Sequence, residues 1–146
     1  MNKFWGHLKT ITHHRHLVMR GCFRMGLIWQ GLTHDLSKYS PTEFLAGVRY
    51  YQGDRSPNTA EREANGYSLA WMHHKGRNRH HFEYWTDLSP KTRTYEPVDM
   101  PVRYLCEMVA DRIAACKTYQ GAAYTDASPL QYLDRANESR LVHPQT

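Results

Sequence analysis

The sequence predicts an all-α fold, a compact helical bundle in a single domain. Two observations carry this. Apolar residues recur at three- and four-residue steps along most of the chain, and Pro41, Pro101 and Pro129 each stand where such a stretch begins. No stretch alternates apolar and polar residues as a half-buried strand does, so no strand is expected. The 146 residues fit one domain over 1–146, with a core over about 4–136 and no visible linker.

The first helix is marked by Phe4, Leu8, Ile11, Val18, Cys22 and Met25, with Gly26 as its stop. His14 falls on the same face and looks inward, whereas His13 and His16 point away from it. A short second helix carries Leu27, Ile28 and Leu32 into His34-Asp35. Ser40-Pro41-Thr42-Glu43 offers an N-cap, a first-turn proline and a capping glutamate for a third helix bearing Phe44, Leu45, Val48 and Tyr51. Residues 53–58 read as a loop, and Thr59 to about Lys75 as a fourth helix. After Gly76-Arg77-Asn78-Arg79 come His80-His81, among the aromatics Phe82, Tyr84 and Trp85.

The last long helix opens at Pro101, with Val102, Leu105, Cys106, Val109, Ile113 and Cys116 as a broad apolar arc. Asp111 sits beside that arc with Tyr104, Met108 and Ala115, so this helix is apolar nearly all round. A carboxylate on such a buried helix is costly unless it is paired or bound to a metal. Ser128-Pro129-Leu130 starts a short terminal helix, and a polar, frayed tail is expected from about Asn137.

Hydrophobic residues make up 40% of the chain and charged residues 23%, which places it among globular rather than disordered sequences. Ten histidines are the compositional anomaly, and a net charge of +5 favours an anionic ligand. Three cysteines without C-x-x-C spacing suggest neither a disulfide framework nor a thiolate zinc site. The N-terminus lacks the apolar core of a signal peptide, and no apolar run approaches the ~20 residues that span a bilayer. A soluble, cytoplasmic protein is expected.

Chemistry concentrates at His34-Asp35, where an imidazole and a carboxylate can reach one divalent cation and the carboxylate keeps an oxygen for a second. With His14 and Asp111, two imidazoles and two carboxylates come from three helices. Such a donor set suits Mn, Fe, Zn, Co or Ni better than calcium. The pattern of a His four before a Val (His14, Val18), a His-Asp pair and a late Asp-Arg (Asp111-Arg112) resembles the HD-domain metal-dependent phosphohydrolase superfamily over about Thr12 to Tyr119. The runs His34-Asp35-Leu36-Ser37-Lys38 and His73-His74-Lys75-Gly76-Arg77-Asn78 are also similar to those of a small bacterial and phage family with no assigned reaction.

The superfamily resemblance implies that His14, His34, Asp35 and Asp111 hold one ion and that Asp35 bridges to another. It also implies that histidines between Asp35 and Asp111 hold that second metal, and His73, His74, His80 and His81 lie in the interval. On a continuous helix the seven-residue spacing would pair His74 with His81, and equally His73 with His80. Whether one or two ions are bound, and which member of each pair is a ligand, stays open at this point. Lys38 matches a superfamily position near the substrate, and Lys38, Arg77 and Arg15 are candidates to hold phosphate oxygens. Glu107 is expected to support the metal site from behind.

The function expected is metal-dependent hydrolysis of a small phosphate ester, plausibly a nucleotide, by a metal-activated water, with Asp35 and Lys38 as the catalytic residues. Two other expectations stand beside it. One is a di-iron oxygenase of the same fold, and the other a non-catalytic module binding a nucleotide or nucleic acid through Trp71, His80, Tyr84, Trp85 and interleaved basic residues. A membrane partner is not expected.

Overall fold

The structure is a computed structural model and describes residues 2–136 and 142–146. Residue 137, where the polar tail is expected to begin, lies outside the described residues. Asn2 accepts from the Phe4 backbone N–H at 2.9 Å and opens helix α1, Lys3–Arg24. Its buried positions, Gly6, His7, Ile11, His14, Val18 and Cys22, form one stripe at helical spacing. Phe4 and Met25, expected on that stripe, lie at its ends and are 41% and 44% exposed. Gly26 then adopts φ +73°, and the Leu27 N–H returns to Cys22 O at 2.9 Å, reversing the chain into α2, Ile28–Thr33.

A 3₁₀ turn at Leu36–Tyr39 leads to α3, Pro41–Tyr50. The expected single helix from Thr59 to Lys75 is instead two, α4 (Pro57–Asn65) and α5 (Leu69–Lys75). Gly66 at φ +81° ends the first, and Ser68 accepts from Trp71 N at 2.9 Å to cap the second. The expectation of no strand also fails. Strand β1 (Thr86–Leu88) pairs antiparallel with β2 (Tyr95–Pro97), Asp87 opposite Glu96. This hairpin is short and mostly exposed, so it leaves no alternating pattern in the sequence.

Helix α6, Val102–Gln120, packs along α1, and α7, Ser128–Ala136, packs against α6. The face of α6 that turns inward carries Glu107, Ala110 and Ala114, while Val102 and Val109 of the expected apolar arc are 71% and 46% exposed. Val18, Cys22, Ala110 and Ala114 form the apolar cluster between α1 and α6. Its small side chains allow close approach: a Cβ on Gly21 would stand 3.1 Å from that of Ala110. Among the described residues the six largest fully buried side chains are His34, His74, His80, Val18, Asp35 and Cys22, so polar groups make up most of the deepest interior. The three cysteines are free, and among the described residues no helix is long and apolar enough to cross a membrane.

Helices α1 and α3 meet where Gly47 faces the buried His7 ring, flanked by Phe44 and Tyr51 at centroid distances of 5.3 and 5.9 Å. Glycine to alanine in a helix ordinarily gains about 0.5–1 kcal/mol. Here the new Cβ would overlap the imidazole. Gly47→Ala is therefore expected to lose about 1–3 kcal/mol, as overpacking does. Urea melts would show it, and an unchanged or raised midpoint would refute the tight contact.

Candidate metal centre

The His34-Asp35 pair is presented by a turn that local chemistry fixes. Arg15 donates from Nε to His34 O and from Nη2 to Leu32 O, both at 2.8 Å, and so ties the C-terminal end of α2 to α1. Arg15, expected among the phosphate-holding residues, thereby braces this turn. Beyond the turn Asp35 takes the left-handed conformation, φ +54° and ψ +26°, which aspartate tolerates better than most residues. That backbone aims both carboxylate oxygens into the interior, where Asp35 is 1% exposed.

Four ligand groups meet on one side. His14 Nε2 lies 2.9 Å from Asp111 Oδ1 and 3.7 Å from Asp35 Oδ2, and His34 Nε2 lies 3.4 Å from each of the same oxygens. On the other side, Asp35 Oδ1 lies 3.3 Å from His74 Nε2 and 3.4 Å from His80 Nε2, with His81 completing the group. In each group the ligand atoms lie within 4.8 Å of one another, so each can hold a metal ion. The Nε2 atoms of His14, His34, His80 and His81 are buried without a hydrogen-bond partner among the described residues. Buried polar atoms are normally satisfied, and four converging lone pairs with two carboxylates match the donors that a transition metal takes.

Carboxylates behind the ligands set the orientation of the rings. His34 Nδ1 meets Glu107 Oε1 at 2.9 Å, and His80 Nδ1 lies 3.2 Å from the same oxygen. His74 Nδ1 meets Glu43 Oε2 at 2.7 Å. With Nδ1–H donating backwards, each ring presents Nε2 to the interior, the arrangement by which a carboxylate fixes the tautomer of a metal-binding histidine. Asn78 adds support, donating to Ser37 Oγ at 2.8 Å and to His74 O at 2.7 Å. Removing the shared support in Glu107→Ala is expected to weaken metal binding at both positions by about 10–100-fold, with Glu107→Gln milder. Competition with a chromogenic chelator measures this, and unaltered affinity would exclude the role.

Electrostatics agree with this arrangement. Burial opposes ionisation of Asp35, yet His34, Lys38 and His74 hold its carboxyl well below the ordinary value; burial likewise opposes Asp111, and His14 and His34 hold it low. Burial, joined by His80 and His74, pushes the His81 imidazole well below its usual value and keeps it neutral. Burial disfavours the charged form of His34, but Asp35, Asp111 and Glu107 raise it well above the usual value. A cation held by these residues would take the place of that proton.

Of the residues expected at the site, the structure brings together His14, His34, Asp35, Asp111, His74, His80 and His81, with Lys38 Nζ 2.6 Å from Asp35 Oδ2. His73 is not among them. Its Nδ1 meets Glu43 Oε1 at 2.6 Å, on the side away from the ligands. Helix α5 ends at Lys75, so the seven-residue spacing does not operate, and the turn that follows delivers both His80 and His81. Arg77 donates to His73 O at 3.3 Å and lines a cavity behind the centre rather than the one in front. The expected capping role of Glu43 is replaced, since no side-chain cap forms on α3 and Glu43 turns inward to two histidines.

A family profile described as "Family of unknown function (DUF5662)" matches residues 3–146. The chain belongs to that family. No curated protein and no solved structure matches it. For this family member the chemistry of the buried centre is therefore the guide to function. The front cavity, about 590 Å³, exposes one face of that centre through His14, His74, His81 and Asp111, and brings Lys38, Arg55, Arg62 and Arg112 to the same space.

Proposed function

We propose that this chain is a metal-dependent phosphohydrolase of the HD-domain type, holding two divalent transition-metal ions and acting on a nucleotide or other small phosphate ester. The observation that carries the reading is the division of Asp35: Oδ2 faces His14 and His34, whereas Oδ1 faces His74 and His80. A carboxylate shared in this way suits a bridge between two ions. His14, His34, Asp35 and Asp111 would hold the first, and Asp35, His74, His80 and His81 the second. When bound, the pair supplies Lewis acidity to the phosphoryl group and to the water that attacks it.

The chain's own residues account for the rest. The cavity wall carries Lys38, Arg55, Arg62 and Arg112 beside Asp54, Glu83 and Asp111. Arg55 is paired with Glu63, so Lys38 and Arg62 are the cations that would offset the charge gathering on phosphoryl oxygens as the ester bond breaks. Lys38, beside both Asp35 and the cavity, is placed to donate from Nζ to such an oxygen. Arg62, over the Trp71 ring at 5.7 Å, widens the cationic wall. The same cations favour phosphate chemistry over an iron oxygenase, which the ligand set alone would also suit.

Metal analysis of the purified protein is expected to return about two transition-metal ions per chain, and a panel of phosphate esters with Mn, Co, Ni, Fe or Mg should reveal phosphate release. Metal-free protein that binds nucleic acid in a salt-sensitive way would overturn the enzyme reading. A loaded protein that consumes oxygen and releases no phosphate would overturn the hydrolase.

A further inference from the structure

A second cavity, of about 360 Å³, lies behind the metal centre and shares no lining residue with the front cavity. It sits between α2, the turn after α5 and the start of α6. Arg77, Arg79 and Arg103 converge on it, and none of the three pairs with a carboxylate among the described residues. Arg79 instead donates to Tyr104 Oη at 3.2 Å, and the Arg79 and Arg103 guanidiniums stand 5.9 and 5.5 Å from the Tyr104 ring. Its one carboxylate, Glu107, is already engaged by His34 and His80. Three neighbouring guanidiniums without a counter-charge repel one another, and an anion bound among them relieves that repulsion.

The rim supplies a second kind of recognition. Trp29 is 73% exposed and borders the cavity, so a large flat ring faces solvent next to the cationic cluster. An indole beside arginines suits a ligand with an aromatic face attached to a phosphate. A volume near the lower end of the ~300–1,000 Å³ typical of small-molecule sites suits a single nucleotide rather than a longer strand.

We propose that this rear cavity is a nucleotide-binding site separate from the substrate cavity, with the phosphate held by Arg77, Arg79 and Arg103 and the base stacked on Trp29. It is separable from the hydrolase reading, because Arg77, Arg79, Arg103 and Trp29 are not metal ligands, although His34, His80 and Glu107 form the inner wall of the cavity. Titration calorimetry with adenosine 5′-monophosphate on the protein as purified tests it, with the arginine and tryptophan variants separating this site from phosphate held at the metal centre. Wild-type protein should bind this probe, and Arg77→Ala with Arg103→Ala, both on exposed side chains, should weaken binding at least about tenfold. Trp29→Ala should weaken the nucleotide by about tenfold while leaving inorganic phosphate binding unchanged. No binding by the wild type, or binding that the double arginine variant leaves intact, overturns the proposal. So does capture of a single-stranded oligoadenylate with none of the mononucleotide.

Discussion

Under the proposed function, Asp35→Asn is expected to abolish binding of both metal ions and to reduce phosphate-ester hydrolysis by at least about 10³-fold, since metal charge supplies several kcal/mol to such a transition state. Among the described residues no other side chain faces both ligand groups with separate oxygens. Asparagine isolates the chemistry from the backbone, because it keeps the size of aspartate and accepts φ +54°. Alanine would add about 1–2 kcal/mol of left-handed strain to the loss of the ligand. Elemental analysis and steady-state kinetics on the asparagine variant decide the matter, and full metal content with wild-type turnover would sink the bridging role.

The next largest effect is expected from the second ligand group. His74→Ala and His80→Ala should each lower the bound metal from about two ions to about one, leaving the ion of His14, His34, Asp35 and Asp111, and should cut hydrolysis steeply. His73→Ala is the internal control. Its ring touches Glu43 and not the ligands, so both ions should remain. Identical metal loss in all three variants would mean that Glu43, not the individual imidazoles, governs the second position. Two ions retained in both His74→Ala and His80→Ala would remove the second position altogether.

Part of this centre is legible in the sequence, through helical periodicity at His14 and through the His34-Asp35 motif and the resemblance it carries. His14 shares the stripe of Ile11 and Val18, so its inward direction follows from 3.6-residue periodicity, whereas Asp111 stands out because a carboxylate on a helix apolar nearly all round needs a partner. Three features are not legible. The choice among the paired histidines depends on the turn after Lys75, whose path no periodicity records. The positions of the arginines are not legible because a long side chain can reach many sites from one backbone position, and Arg15 reaches carbonyls at the end of α2. The inward face of α6 does not follow its apolar arc, because Glu107 and small alanines occupy that face while Val102 stays outside.

Glu43 shows the same difficulty from the other direction. Its position three residues after Ser40 satisfies a capping pattern, which explains the residue without reference to any site. Only the packing of α5 against α3 shows that both its oxygens serve histidines.

That four of the six largest fully buried side chains are His34, His74, His80 and Asp35 has a consequence for how this protein comes into being. Where most domains of this size close around hydrocarbon, this chain closes around groups that water solvates well and that repay burial only through one another or through a bound cation. Under the proposed function, folding and metallation become one event. A newly made chain would wait on the cell's supply of ions to complete its interior, and a chelator would act on it as a denaturant does.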